Sequence, residues 1–396
     1  MVANIGSGGL MWLVHFLSKR VTTAEYGAFG VMLAVAMCVP NMPLQMVFAQ
    51  QTARALATQR ERELAGMLRL ACLGTLIIGG LLAGVVYCWQ TEIITGWKLA
   101  SASGLWITVG VVVLCMWLPI FQGVMQGQQN FLWIGWANLL NGVGRLSLAA
   151  SLVIGLAWGS TGMIAGVVLA MVLAVGVCVW QTRRIWMLPR ERFHWRQLAG
   201  QAAPLILGFA AVQFLFTADT MFVKAYFSEE DAGFYVGAGT LSRALLWLVL
   251  PLAVVMFPKI VHSSARAEKS NLLGVVMAGT AILAAGGALG LTILGPWLVR
   301  FVFTSSYVQV ASLILPWYAW AMVPLSLANA LINNLMARAQ FGIVPVLLAL
   351  AIGYGFALVH FHDSLIMVLK TLGVFNLLLL AVSGWFTWVN RKNPIK

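Results

Sequence analysis

The stretch "NLLNGVGRLSLAASLVIGLAW", residues 138–158, decides the fold. It is apolar over the roughly 20 residues that a helix needs to cross a bilayer, yet it carries Arg145 well inside. A guanidinium at the centre of a membrane helix costs about 2.5–3.5 kcal/mol on insertion scales, so it faces protein, water or a ligand and not lipid. On a helix, Asn138, Asn141 and Arg145 fall at i, i+3 and i+7, so the arginine shares a face with two amides. That face lies away from the apolar run Leu152 to Leu156.

The rest of the chain carries the same signature. Of 396 residues, 61% are hydrophobic and 9% charged, with a mean hydropathy of +0.91; soluble domains carry about 25% charged residues. The chain therefore reads as an integral membrane protein. Many of its 17 tryptophans close apolar runs, as in "YCWQ", "GWKLA", "CVWQTRR" and "FTWVNRK", where indole rings favour the headgroup level. The net charge of +13 sits mostly in short loops between apolar runs, which is a topological signal and argues against nucleic acid as a partner. Cys38, Cys72, Cys88, Cys115 and Cys178 lie in or at the ends of apolar runs without paired spacing, so neither a disulfide framework nor a zinc site is indicated. The opening run "MVANIGSGGLMWLVHFLSKR" lacks a basic leader and a cleavage site and reads as a first membrane helix.

Twelve apolar runs are long enough to span: approximately 1–17, 26–48, 66–88, 103–125, 132–157, 161–180, 200–222, 235–257, 272–294, 308–332, 341–360 and 364–388. They are continuously apolar, whereas a membrane β-barrel needs alternating polarity, so the fold is all-α. With the even-numbered loops and the C-terminus placed in the cytoplasm, that side holds sixteen cations: Arg54, Arg60, Arg62, Arg69, Arg183, Arg184, Arg190, Arg192, Arg196, Lys259, Arg266, Lys269, Arg338, Arg391, Lys392 and Lys396. The other side holds five, Lys19, Arg20, Lys98, Lys224 and Arg300, and Arg145, Arg243 and Lys370 fall inside spans. This bias predicts both termini cytoplasmic.

The basic segment "QTRRIWMLPRERFHWRQLAG", 181–200, follows the sixth span and reads as a topogenic loop that also lies on anionic lipid, with a specific regulatory role as the alternative. It divides the chain into a six-helix half at 1–185, a linker at 186–200 and a second six-helix half at 201–396. The halves look like repeats. At a constant offset of 206, "FLSKRVTTAEYGAFGV" (16–31) and "FVKAYFSEEDAGFYVG" (222–237) pair Phe16 with Phe222, Thr22 with Ser228, Glu25 with Asp231, Gly27 with Gly233 and Phe29 with Tyr235. A small polar residue caps the new helix and an acid favours its N-terminal dipole. Halves with an even number of spans share an orientation, so two six-helix bundles related by a pseudo-two-fold along the membrane normal are expected, with a substrate path between them.

Several of these stretches carry a family resemblance. "TTAEYGAF" after the first span, "PLQMVFAQQTAR" (43–54), "GVMQGQQNF" (123–131), "LLNGVGRLSL" (139–148), "ADTMFVKAYFSEEDAGFYVGAGTLSRA" (218–244) and "PLAVVMFPKI" (251–260) resemble the polysaccharide-exporting branch of the multidrug/oligosaccharidyl-lipid/polysaccharide exporter superfamily. The resemblance extends over essentially the whole chain. It implies a bacterial inner-membrane flippase for oligosaccharides linked to undecaprenyl pyrophosphate, acting in cell-surface polysaccharide biosynthesis such as that of the O-antigen of lipopolysaccharide. Members usually begin with a short cytoplasmic stretch; this chain starts almost inside its first helix, so a longer N-terminus is expected.

The ionisable residues within spans break the 206 offset: Met37 stands opposite Arg243, Ala351 opposite Arg145, Ile164 opposite Lys370 and Leu13 opposite Asp219. Scaffold symmetry therefore does not require them. Arg145 lies roughly 20 Å along its span, Arg243 roughly 12 Å from the outer end and Lys370 roughly 9 Å. Arginine's planar five-donor fork suits phosphate and stays charged, so a cavity lined by Arg145, Arg243 and Lys370 fits a pyrophosphate. Lys370 and Lys224 have the alternative of snorkelling to the outer interface. Asp219 has that of neutralising Lys224 or Arg243. Uncharged cavity candidates are Asn138, Asn141, Gln45 and Gln213, with Asn329, Asn333 and Asn334 beside them; interhelical hydrogen bonding is the other use of such residues. His360 and His362 make a weak H-x-H that reads as interfacial and not as a metal site.

Three function classes compete. A lipid-linked sugar flippase needs a cationic cavity, no cofactor and no nucleotide motif, and no G-x-x-x-x-G-K-[ST] is present. Its partners are the lipid-linked oligosaccharide, membrane lipids and other polysaccharide-assembly membrane proteins. A cation-coupled multidrug antiporter of the same superfamily carries buried acids for cationic cargo, and Asp219 is the only acid within a span. A membrane glycosyltransferase or polymerase needs paired carboxylates on sizeable aqueous loops, for which connections such as "WGST" leave no room.

Overall fold

The computed structural model describes residues 2–189, 191, 195–265 and 272–392. Among the cations counted above, Arg190, Arg192, Arg266, Lys269 and Lys396 lie outside these residues. In chain order the helices are α1 (Val2–Leu13), α2 (Thr23–Met37), α3 (Asn41–Ala57), α4 (Glu61–Cys88), α5 (Gln90–Gly96), α6 (Ala102–Gly127), α7 (Phe131–Ala150), α8 (Gly159–Gln181) and α9 (Arg183–Trp186). They continue with α10 (Trp195–Tyr226), α11 (Glu229–Ala265), α12 (Leu272–Val302), α13 (Ser305–Ala337), α14 (Val344–His360) and α15 (Leu365–Lys392). No strand occurs among the described residues.

Eleven helices among the described residues are long and apolar enough to cross a membrane. The first expected span is α1 extended by a 3-10 segment, Val14–Arg20. α2 and α3 form one crossing of 35 residues, Thr23–Ala57, interrupted at Pro40, which cannot donate to a helical carbonyl.

The chain separates into two compact units, Met1–Gln213 and Phe214–Lys396. The division falls inside α10, beyond the basic connection where the halves were expected to part. The first portion of α10 packs with unit 1, and Gln213 Nε2 donates to Met37 O, the last residue of α2, at 2.9 Å.

In unit 1, α8 is apolar on every side and largely buried, as an all-round hydrophobic helix must be when it forms a core. Small residues let α7 and α8 approach closely: a Cβ at Gly166 would lie 2.5 Å from Ala149 Cα, and one at Gly144 3.2 Å from Ala170 Cβ. α4, by contrast, is mostly exposed and presents Leu73, Ile77 and Leu81 on its surface.

The repeat is visible in each unit taken alone. In unit 1, Thr22 N donates to Glu25 Oε2 at 2.9 Å and Glu25 N to Thr22 Oγ1 at 3.2 Å, a complete capping box. In unit 2, Asp231 N donates to Ser228 Oγ at 3.1 Å and Ser228 Oγ to Asp231 Oδ2 at 2.7 Å. The offset of 206 returns in α4 and α12, where Gly80 and Gly84 match Gly286 and Gly290, all four facing open space. Glu25 also reaches the start of α8. Gly159 opens that helix at φ +51°, and any side chain there would overlap Glu25 Oε1. One carboxylate thus sits at two helix N-termini, where the backbone dipoles favour it.

Candidate substrate site

In unit 1 the site is built on α7. Ser7 Oγ of α1 donates to Asn138 O at 2.5 Å, and a Cβ on Gly142 would lie 2.9 Å from Ser7 O, so α1 lies close along α7. Asn138 Oδ1 accepts from Gln122 Nε2 of α6 at 2.7 Å. One turn on, Asn141 is buried and its Oδ1 has no partner. One further turn on, Arg145 is part-buried, and its Nε and Nη2 are enclosed without a hydrogen-bond acceptor. The ionisable groups in electrostatic reach are His15 and Cys115. His15 is itself engaged, with Nδ1 2.8 Å from Tyr26 OH. No carboxylate among the described residues pairs with Arg145.

Unit 2 gives Arg243 a counter-ion, although Arg243 Nε, like Arg145 Nε, is buried without an acceptor. Arg243 of α11 donates through Nη2 to Asp219 Oδ1 of α10 at 2.7 Å and to Thr220 Oγ1 at 2.8 Å. Its guanidinium also lies 5.3 Å from the Phe216 ring centre and 5.4 Å from that of Tyr318. Asp219 is fully buried. Its other oxygen, Oδ2, accepts from Tyr235 OH at 2.8 Å and from Tyr318 OH of α13. One carboxylate therefore joins α10, α11 and α13 through three donors, all its hydrogen bonds charge-assisted. Tyr354 OH of α14 is buried in the same unit without a partner.

The remaining candidates separate. Lys370 places Nζ 5.4 Å over the exposed Trp317 ring, and Lys224 is fully buried. Gln45 Nε2 donates to Gln126 Oε1 at 3.0 Å within unit 1. Asn333 Nδ2 donates to Asn329 O at 2.8 Å and Asn334 Oδ1 accepts from Arg338 Nε at 3.2 Å, so these amides bond along α13 itself. His362 stacks on Tyr226 at 4.1 Å and His360 Nδ1 lies 2.9 Å from Phe356 O. No group of three His, Cys, Asp or Glu among the described residues could hold a metal ion.

The sequence reading missed Tyr235, Tyr318, Gln122 and Gln126. The tyrosines carried a signal: a phenol within a membrane span must find an acceptor. Asp219 is that acceptor.

A family described as polysaccharide biosynthesis protein matches residues 2–264. The chain belongs to that family. A sequence search of curated proteins returned no match. Among solved structures, the family member is similar to an inward-facing multidrug resistance transporter of the MATE family in the MOP superfamily, with TM-score 0.76 and 13% identity over 98% of this chain and 96% of the other. It is similar to lipid II flippase MurJ in an inward closed conformation, with TM-score 0.74 and 14% identity over 98% and 87%. A MOP-superfamily transporter from Pyrococcus furiosus, described as having a binding pocket of reverse polarity, gives TM-score 0.59 and 11% identity over 99% and 91%. The chain is thus a multi-pass membrane protein with the fold of these MOP-superfamily transporters.

Proposed function

We propose that this protein is a flippase that moves an oligosaccharide linked to undecaprenyl pyrophosphate across the bacterial inner membrane by alternating access, with both termini cytoplasmic, for surface polysaccharide such as O-antigen. The observation that carries the reading is Arg145, a guanidinium within α7 whose enclosed Nε and Nη2 have no acceptor. A charge buried without a counter-ion is costly, and a diphosphate relieves that cost with paired, charge-assisted hydrogen bonds. The family's link to polysaccharide biosynthesis points the same way, and lipid II flippase MurJ shares the fold.

The antiporter alternative needs a carboxylate open to cationic cargo. Asp219, the one acid expected within a span, is enclosed by Arg243, Tyr235 and Tyr318. The reading is tested by deleting the gene: the lipid-linked glycan should accumulate on the cytoplasmic leaflet. Intact glycan export with altered resistance to cationic drugs would transfer the assignment to the antiporter class. Other membrane proteins of polysaccharide assembly are the proposed neighbours in the same process.

A further inference from the structure

Unit 1 holds a polar feature that the single cation does not use. The sequence "FQGVMQGQQNF", 121–131, places glutamine before glycine twice, Gln122-Gly123 and Gln126-Gly127. A spacing of four is close to one helical turn, so both amides leave α6 on one side. The glycines draw α3 toward α6: a Cβ on Gly123 would lie 2.5 Å from Gln45 O, and one on Gly127 2.5 Å from Thr52 Cβ. At that separation Gln45 and Gln126 join across the helices at 3.0 Å in an exposed pair, while Gln122 reaches Asn138 of α7 at 2.7 Å. α7 continues the row with Asn141 and Arg145, whose Oδ1 and whose Nε and Nη2, respectively, are buried and without partners. By helical rise, the row from Gln126 to Arg145 measures roughly 16 Å.

The chemistry changes along this row. Two amides joined through one N–H and one carbonyl keep a carbonyl and an NH2 group for a third party. At the open end, Gln45 Oε1 accepts and Gln126 Nε2 donates. A sugar hydroxyl does both, so neighbouring hydroxyls of a pyranose match this pair. In the middle stands a lone acceptor, Asn141 Oδ1, and at the far end a cation. Such an order suits a ligand that is rich in hydroxyls at one end and anionic at the other. Amides that served only to hold α3, α6 and α7 together would satisfy one another completely, and Asn141 does not.

We propose that Gln45, Gln126, Gln122, Asn138, Asn141 and Arg145 form a glycan track, with the sugars against the Gln45–Gln126 pair, the pyrophosphate on Arg145 and Asn141 Oδ1 accepting from the linkage-proximal sugar. This rests on the flippase reading and adds the residues that contact the glycan and the direction in which it lies.

The test measures binding to the purified full chain of two probes, undecaprenyl pyrophosphate and undecaprenyl pyrophosphate carrying a tri-N-acetylglucosamine. The wild type should bind the glycosylated probe about tenfold more tightly. Gln126→Leu and Gln45→Met should each lose about five- to tenfold for that probe, the worth of one or two hydrogen bonds, and nothing for the sugar-free probe. Arg145→Gln should weaken both. Thermal unfolding of each variant separates loss of contact from loss of fold. The track is overturned if the wild type binds both probes equally, or if the glutamine variants, still folded, affect both probes alike or neither. If the wild type binds neither probe, the flippase reading falls and the track with it.

Discussion

Asp219 Oδ1 meets Arg243 Nη2 at 2.7 Å between adjacent helices of unit 2, with the carboxylate wholly buried. Removing one partner of such a pair costs about 3–5 kcal/mol, because the other is left as a buried charge. Asp219→Ala should therefore lower the unfolding midpoint of the detergent-solubilised protein sharply. The double variant Asp219→Leu with Arg243→Leu should recover only part of the loss: the buried charge is gone, but the buried hydroxyls of Tyr235 and Tyr318 lose their acceptor. Equal damage from the single and double variants would show that the pair does more than neutralise charge.

Arg145→Ala has the opposite stability signature. The guanidinium makes no hydrogen bond through Nε or Nη2, so its loss leaves no orphan and removes a desolvated charge. Membrane insertion and unfolding temperature should be unchanged or raised while glycan flipping in cells falls at least tenfold. Arg145→Lys should restore only part, because an ammonium lacks the bidentate fork. Normal transport by Arg145→Ala would make the residue incidental to function, and loss of the protein from the membrane would make it structural.

Glycine positions divide by the space around them. Gly127→Ala would bring its Cβ to 2.5 Å from Thr52 Cβ and 2.7 Å from Ala49 O; overpacking of this kind costs about 1–3 kcal/mol. Gly80→Ala and Gly286→Ala meet nothing within 4 Å and should gain about 0.5–1 kcal/mol from helix propensity. Thermal melts of the three variants check the contrast.

Arg69 of α4 anchors the start of the basic connection: Nε and Nη2 donate to Trp186 O at 3.0 and 2.7 Å, and Nη2 to Leu188 O at 2.7 Å. Glu191 N also donates to Arg62 O at 3.3 Å, and Arg62 lies 3.6 Å from the Glu191 carboxylate. Arg69→Ala should raise hydrogen exchange at Met187 and Leu188 about tenfold, the equivalent of one net charged hydrogen bond. Unchanged exchange would mean that the backbone turn holds itself.

The cation bias predicts a cytoplasmic Lys396. A phosphatase fused there should be inactive and a fluorescent protein bright. The reverse pattern would invert the topology.

Much of the fold was legible because bilayer thickness fixes helix length and leaves a composition record, and because capping is local: Thr22 with Glu25 and Ser228 with Asp231 are three residues apart. Arg145 stood out for a related reason, an isolated charge in a span without an acid. The Asp219 site was only half legible. Arg243 lies 24 residues from its partner and Tyr318 lies 99 away, so which donors reach the carboxylate depends on how α10, α11 and α13 pack. The Gln45–Gln126 bond spans 81 residues, and only the paired glycines beside Gln122 and Gln126 hint at it. The parting of the units within α10 was hidden because composition changes at the basic connection, whereas packing changes farther along the helix.

The contrast between Arg145 and Arg243 has an electrical meaning. Carrying an unneutralised positive charge through the full membrane field involves about 2.3 kcal/mol for every 100 mV. Arg243 and Asp219 form a dipole with no net charge, so the resting voltage exerts no net force on that pair. Among the described residues Arg145 has no carboxylate companion and so keeps its net charge in such a field. Under the flippase reading proposed above, a diphosphate bound there would reverse the sign of the local sum, so the field that draws the empty site one way would push the loaded site the other.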